Sequence, residues 1–318
     1  MFRVLTMVVM IVSLLASGAA VSAQGTPAAG GGLLGDLGYP EVTIVATESG
    51  YEIPSDIQAG IVLITLENRA PFPVGFSLIQ LPEGASPADL MPPAGASPVA
   101  GEEAAPEEGF PPILYDAVWA GGVFAFPGGP PAQAVVTLTP GEWLLLGPPD
   151  VPVPPQPFTV GGEAGEAPAT PEGAVSVELD NFQIILPEQI QAGPQIWEVT
   201  NIGDQPHEIF VSTTPERLSA EDALTLVQLP PDATPPPGLP SLEETMPVGF
   251  IAPISGEQTT LVEMNLEPGH YVAVCFLPEK ESGEPHAFKG MVTTFSVGAE
   301  GEQVEPPASP VPDEHGGH

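Results

Sequence analysis

Cys275 is the only cysteine of the chain, and it opens the segment CFLPEKESGEPHAFKGM, residues 275–291. That segment supplies a thiol at Cys275, an imidazole at His286 and a thioether at Met291. A second imidazole, His207, stands upstream in NIGDQPHEIF. Two His, one Cys and one weak Met form the donor set of a type 1 copper centre. The thiolate and imidazoles suit copper in both oxidation states, and the thioether favours Cu(I). Zinc is the competing metal, although Met is a poor ligand for it. The plain alternative is that Cys275 is a buried, inert core residue.

The first residues read as an export signal. Arg3 gives a positive start, Leu5 to Ala16 an apolar stretch, and Val21-Ser22-Ala23 a small-residue cleavage site. Cleavage is expected after Ala23, and the alternative is an uncleaved N-terminal anchor. No other stretch reaches the ~18–20 apolar residues of a membrane span. The mature chain is therefore expected outside the cytoplasm, periplasmic or extracellular. An oxidising compartment favours disulfides, and one cysteine has no partner within its own chain. No cysteine near the cleavage site offers a lipid anchor.

Acidic residues number 41 against five Lys and Arg, a net charge of −36. Removing residues 1–23 takes away Arg3 and no acid. Nucleic acid and anionic membrane surfaces are excluded as partners by such a charge, and a basic protein partner is allowed. Much of the acid falls in segments that read as linkers, where it can serve solubility alone.

The chain repeats itself. IPSDIQAG (53–60) matches LPEQIQAG (186–193), LTPGEWLLLG (138–147) matches LEPGHYVAVC (266–275), and FTVGG (158–162) matches FSVGA (295–299). The repeat defines two domains, 40–162 and 174–298. Residues 24–39 read as a flexible linker, 92–109 as a disordered acidic insert, 163–173 as an acidic linker and 299–318 as a disordered acidic tail. Such a linker transmits little, so the two domains are expected to melt independently.

EVTIVATE, IVLITLEN, QIWEVTN, TTLVEMNL, HYVAVCFL and MVTTFSV are short runs of Val, Ile, Thr and aromatics with period-2 stretches, and turn residues separate them. One helix per domain is predicted, SPADLM with Ser86 as N-cap and SAEDALTLVQ with Ser219 as N-cap. The pattern predicts an all-β chain of two tandem Greek-key β-sandwich domains, each with a short helix. Strand parity places Tyr271, Ala273 and Cys275 on one face and sends His270 to the other, where it reads as a surface residue.

The second domain resembles the cupredoxin family. The resemblance rests on N-x-G-x-x-x-H (Asn201, Gly203, His207), P-G-x-Y-x-x-x-C (Pro268, Gly269, Tyr271, Cys275), Pro285-His286 and Gly290-Met291. It implies His207, Cys275 and His286 as in-plane ligands and Met291 as the axial one, with one type 1 copper per chain. It also implies a His286 edge near the surface, within an apolar patch through which electrons pass. Leu277, Pro278, Pro285, Ala287 and Phe288 are the candidates for that patch. The sequence departs from the family in a Cys-to-His loop with ten intervening residues, and in Glu208, where many members carry Asn. That Asn usually provides a hydrogen bond tying the two ligand segments together.

The first domain lacks the donors. His207 aligns with Val74 and Cys275 with Gly147, and residues 40–162 contain no His or Cys. It is expected to be a cupredoxin-like module without copper. His315 and His318 of the tail could hold a metal loosely or simply be solvated. The leading functional expectation is an exported one-electron carrier meeting a basic redox protein, such as an exported cytochrome. The alternative is copper sequestration. An enzyme is not expected: the neighbours of Cys275 are Val274 and Phe276, so no adjacent His links a second metal centre.

Overall fold

The alternation of apolar and polar residues becomes strand after strand. A computed structural model describes residues 32–90, 111–147, 154–163, 169–230, 233–241, 244–299 and 301–310. The expected export signal (1–23), the expected acidic insert 92–109, and His315 and His318 lie outside the described residues. The first unit runs β1 (Glu41–Thr47), β2 (Gly50–Glu52), β3 (Ile57–Gln58), β4 (Gly60–Asn68), β5 (Val74–Gln80), β6 (Val118–Ala125), β7 (Ala132–Leu138), β8 (Gly141–Leu146) and β9 (Gln156–Gly161). The second repeats that order as β10 (Val175–Asp180), β11 (Gln183–Ile185), β12 (Ile190–Gln191), β13 (Gly193–Asn201), β14 (His207–Thr214), β15 (Met246–Ile254), β16 (Thr259–Leu266), β17 (Gly269–Val274) and β18 (Val292–Gly298).

In β1 the residues Val42, Ile44 and Ala46 are buried and alternate with less buried neighbours, as a half-buried strand requires. The matching IQAG segments end on Gly60 and Gly193, with φ of 121° and 107°, which side chains other than glycine rarely adopt. Each glycine therefore turns the chain into its long strand, β4 or β13.

The strands form two sheets that run through both units. One has the order β11-β10-β13-β16-β7-β4-β1-β2, the other β12-β18-β17-β14-β15-β6-β5-β8-β9-β3. The units join edge to edge through equivalent strands. β16 pairs with β7 at Leu261–Val135 and Val262–Ala134, and β15 pairs with β6 at Ile254–Ala120, all antiparallel. Like strands meeting like strands make a two-fold-related seam of the kind found in symmetric dimers. It also leaves no open edge at these four strands. The seam corrects the expectation of two independently melting domains, because backbone hydrogen bonds cross it in both sheets.

Three further expectations need correction. SPADLM forms only a 3-10 turn, Pro87–Leu90, in which the Asp89 carboxylate accepts from the Ser86 amide and hydroxyl at 2.8 Å each. Pro92 and Pro93 follow in sequence and oppose a longer helix. Among the described residues the α-helix is α1 (Ala220–Gln228), capped by Ser219, whose Oγ accepts from the Asp222 amide at 3.1 Å. Second, the end of the linker 24–39 is anchored: Leu34 is fully buried with Leu63, Val135 and Leu261, and so covers the seam from outside. Third, residues 301–310 of the expected disordered tail lie on the second unit. Ala308 exchanges two backbone hydrogen bonds with Thr294, and Gln189 brackets Val304 through its amide and carbonyl. Arg217 donates to the carbonyls of Glu305 and Pro306. Polar side chains of the domain hold this segment, where its own composition offers little to bury.

Candidate metal centre

His207 is delivered by a hydrogen-bonded turn. Asn201, fully buried at the end of β13, donates to the carbonyls of Gln205 and Ile254 at 2.7 and 2.8 Å. Its Oδ1 accepts from the Gly203 amide at 2.9 Å. Gly203 lets the turn pack closely, because a Cβ there would lie 2.6 Å from Asn181 Oδ1 and 3.1 Å from both Asn181 N and His207 Nε2. The chain then enters β14 with His207 as its first residue.

Cys275 directly follows β17. Tyr271, Ala273 and Cys275 face the core between the sheets, while Val272 and Val274 face α1. The loop beyond is laced to itself. The amides of Cys275, His286, Ala287 and Met291 donate to the carbonyls of Met291, Leu277, Cys275 and His286 at 2.8–3.1 Å. This ladder returns His286 and Met291 to the Cys275 end of the strand. His270 lies elsewhere, half-buried, with its Nδ1 2.9 Å from Ser296 Oγ.

Three donors converge. His207 Nδ1 and His286 Nδ1 are 3.0 Å apart, and Cys275 Sγ is 3.5 Å from the His286 nitrogen and 4.0 Å from the His207 nitrogen. The point equidistant from the corners of such a triangle lies about 2.1 Å from each, close to the bond lengths of imidazole and thiolate to a first-row metal ion. All three residues are buried, and so is Met291. The donor set and the size of the triangle both fit a copper ion.

Burial governs the ionisation of the site. Desolvation holds His207 down at about 4, with Asp180 and Asp204 pulling back. Desolvation and the neighbouring His207 hold His286 at about 3. Both imidazoles are thus neutral, as ligands must be. Burial pushes the Cys275 thiol up, and the nearby Glu208 adds to this, while the backbone N–H groups of Glu208 and Leu277 favour the thiolate. Glu208, the departure from the family pattern, is buried with its carboxyl raised to about 8 by desolvation; the Phe276 amide is the contact that favours its charge.

A pH dependence follows for the metal-free protein. The imidazoles have folded-state values below the unfolded 6.5, so their contribution is full above about pH 6.5 and is lost as pH falls towards 4 and 3. Glu208 runs the other way: its contribution is full below about pH 4.5 and is lost as pH rises through about 8. Two imidazoles outweigh one carboxyl on the acid side. Unfolding free energy is expected to peak near pH 6–7 and to fall by on the order of 3 kcal/mol by pH 4. Glu208→Gln is expected to raise stability at pH 8 and change little at pH 4. Urea titrations across the range check both expectations.

The surroundings differ from the expected apolar patch. Leu277, Pro278, Pro285 and Ala287 are buried, and Phe288 is half-buried. Ala287 packs in the cluster under α1. The first unit reaches over the ligand loop: Tyr115 Oη donates to the Pro278 carbonyl at 3.0 Å, and Asp116 pairs with Lys280 at 2.7 Å. His286 is itself almost wholly buried. Phe182, from the β10–β11 turn, stands edge-on to its ring at a centroid distance of 5.3 Å. Phe182, Tyr115 and Asp116 carry no motif, and sequence reading missed them.

In the first unit the same framework stands without donors. Asn68 donates to the carbonyls of Phe72 and Ala125 at 2.9 and 3.0 Å and accepts from the Ala70 amide at 2.8 Å, as Asn201 does in the second. The strand that follows begins at Val74 instead of a histidine. Tyr51 occupies the space near Gly147, with its hydroxyl donating to the Gly75 carbonyl and its ring packed edge-on to Phe76.

No protein-family model and no curated protein matches the chain. Among solved structures it is similar to a dithionite-reduced auracyanin from Roseiflexus castenholzii, at 16% identity over 36% of this chain and 92% of that one, with a TM-score of 0.23. It is similar to auracyanin B at 19% identity, over 41% and 92% of the two chains, with a TM-score of 0.24. A Cu-containing nitrite reductase from Thermus scotoductus SA-01 aligns at 11% identity over 86% of this chain and 65% of that one, with a TM-score of 0.24. The assignment of the centre rests on its own geometry. Two tandem sandwiches, one of which closes His207, Cys275 and His286 into a buried triangle, fit a cupredoxin-like type 1 copper site.

Proposed function

We propose that the protein is an exported one-electron carrier that holds one copper ion through His207, Cys275 and His286, with Met291 as the weak axial donor. The observation that carries the reading is the buried donor triangle inside two rigid sheets. Bound copper would supply a one-electron Cu(II)/Cu(I) couple. The chain's part is to keep the donors in place. The hydrogen-bonded ligand loop, the Asn201 turn and the clamp from Tyr115 and Asp116 all limit movement of the ligands when the charge changes.

Export is supported by the N-terminal segment and by a single cysteine that has no partner within the chain. Among the described residues, no helix is long and apolar enough to cross a membrane. A basic redox partner is favoured by the charge and by a cleft of about 540 Å³ between the units. Asp180, Asp204 and Glu257 line it, and Gly203, which touches His207, forms part of its wall. Attraction across such a surface raises encounter rates and is screened by salt.

Copper sequestration is the second reading. It is favoured by the burial of Nε2 on both histidines, which leaves no ligand edge open to solvent. Stopped-flow mixing of the copper protein with a basic cytochrome separates the two. A carrier is expected to exchange electrons fast at low salt and more slowly as ionic strength rises. Slow exchange at every salt concentration would favour sequestration.

A further inference from the structure

His286 Nε2 is buried and has no hydrogen-bond partner. A polar atom left so is costly, and one bridging water would relieve it. Something must keep that water out. The aromatic ring packed against His286, beside that of His207, is Phe182, edge-on at 79° between planes. Phe182 is itself only half-buried, so part of the ring that packs against His286 reaches solvent.

Its position is an unfavourable one for its residue type. Asp180 pairs with Gln183, so Asn181 and Phe182 alone make the β10–β11 turn. Phe182 has φ of 62°, where glycine or asparagine is at ease and a bulky aromatic residue is an outlier. Such strain persists where the surrounding structure holds it, and it concentrates at functional sites. Here the surroundings do hold it. The Lys289 ammonium sits 5.9 Å from the ring centroid, itself placed 3.8 Å from carboxylates of both Glu279 and Glu284. The turn accepts strain and the ligand loop supplies a cation, and together they keep one aromatic ring over one imidazole.

We propose that Phe182 is the gate of the metal centre: its ring seals the His286 edge against water and small solutes. The proposal deepens the reading of this site as a copper centre, and its test has an arm that needs no copper. Phe182 is a positioning residue in this account. It acts on the centre through His286.

The test uses Phe182→Gly and Phe182→Asn, which remove the ring while suiting the backbone of the turn, and Phe182→Tyr, which keeps the ring. In the metal-free protein, Cys275 is the sole thiol, so its reaction with a soluble aromatic disulfide reports access to the centre. The thiolate attacks the disulfide, a mixed disulfide forms and an aryl thiolate leaves. The Gly and Asn variants are expected to react roughly two- to tenfold faster than the wild type, the response to losing an edge-on aromatic contact from a barrier. Phe182→Tyr is expected to keep the wild-type rate. All variants are expected to remain folded, because relief of the strained backbone in the Gly and Asn variants offsets part of the ring burial they lose. In the copper-loaded protein, transfer of copper to a chelator is expected to accelerate in the same order. Wild-type thiol rates in the Gly and Asn variants would overturn the gate. Failure of the wild type to develop a visible band with copper would instead overturn the copper reading, leaving the thiol result to judge the seal.

Discussion

Cys275→Ser protein is expected to take up copper weakly and to remain colourless. A serine hydroxyl stays protonated where the thiol gives up its proton to bind as a thiolate, so only the two imidazoles of the triangle remain as strong donors. The loss of affinity is expected to exceed the ~10–100-fold that removal of a mere outer partner of a metal ligand costs. The fold is expected to survive. The backbone N–H groups of Glu208 and Leu277 that face the sulfur can serve a hydroxyl in its place. His207→Ala and His286→Ala are expected to bind copper more weakly while keeping some charge-transfer colour, because the thiolate remains. Equilibrium competition with a chelator, read beside the visible spectrum, ranks the three variants. Full colour in Cys275→Ser would place the centre elsewhere.

The second large effect concerns the seam. Val135 is fully buried, pairs with Leu261 of the other unit and packs under Leu34. Val135→Asp places an unpaired charge there and is expected to cost on the order of 4 kcal/mol or more. Because both sheets run through the seam, the loss is expected to lower the melting of the whole molecule, including the unit that holds the ligands. Calorimetry of the wild type is expected to give one cooperative transition, moved upward by copper as a ligand of the folded state. Two well-separated transitions, with Val135→Asp shifting only one, would show that the seam contributes little.

Six of the strands, β1, β4, β13, β16, β17 and β18, were legible in the sequence because each is a short run of Val, Ile, Thr and aromatic residues bounded by turns. The repeat was legible because the same turns recur, down to the IQAG segments that end on Gly60 and Gly193. The residues of the triangle could be named from their types and order. Their closeness could not, since it depends on the Asn201 bracket and the ladder of the ligand loop. The seam left no trace either: β16 read like any other half-buried strand, β7 was not singled out, and which edges meet is a long-range matter. Phe182 was hidden for the same reason. Nothing near it in the chain tells that its turn faces His286. The tail misled through composition, since Pro and Glu suggest disorder while Gln189 and Arg217, distant in sequence, hold residues 301–310 in place.

The central claim is that His207, Cys275 and His286 form a type 1 copper centre. Titration of the metal-free wild-type protein with Cu(II), followed by visible absorption, tests it most directly. The account predicts an intense blue or green thiolate-to-copper band that grows linearly and stops at one equivalent per chain. Copper binding without such a band, or no saturable binding at all, would contradict it.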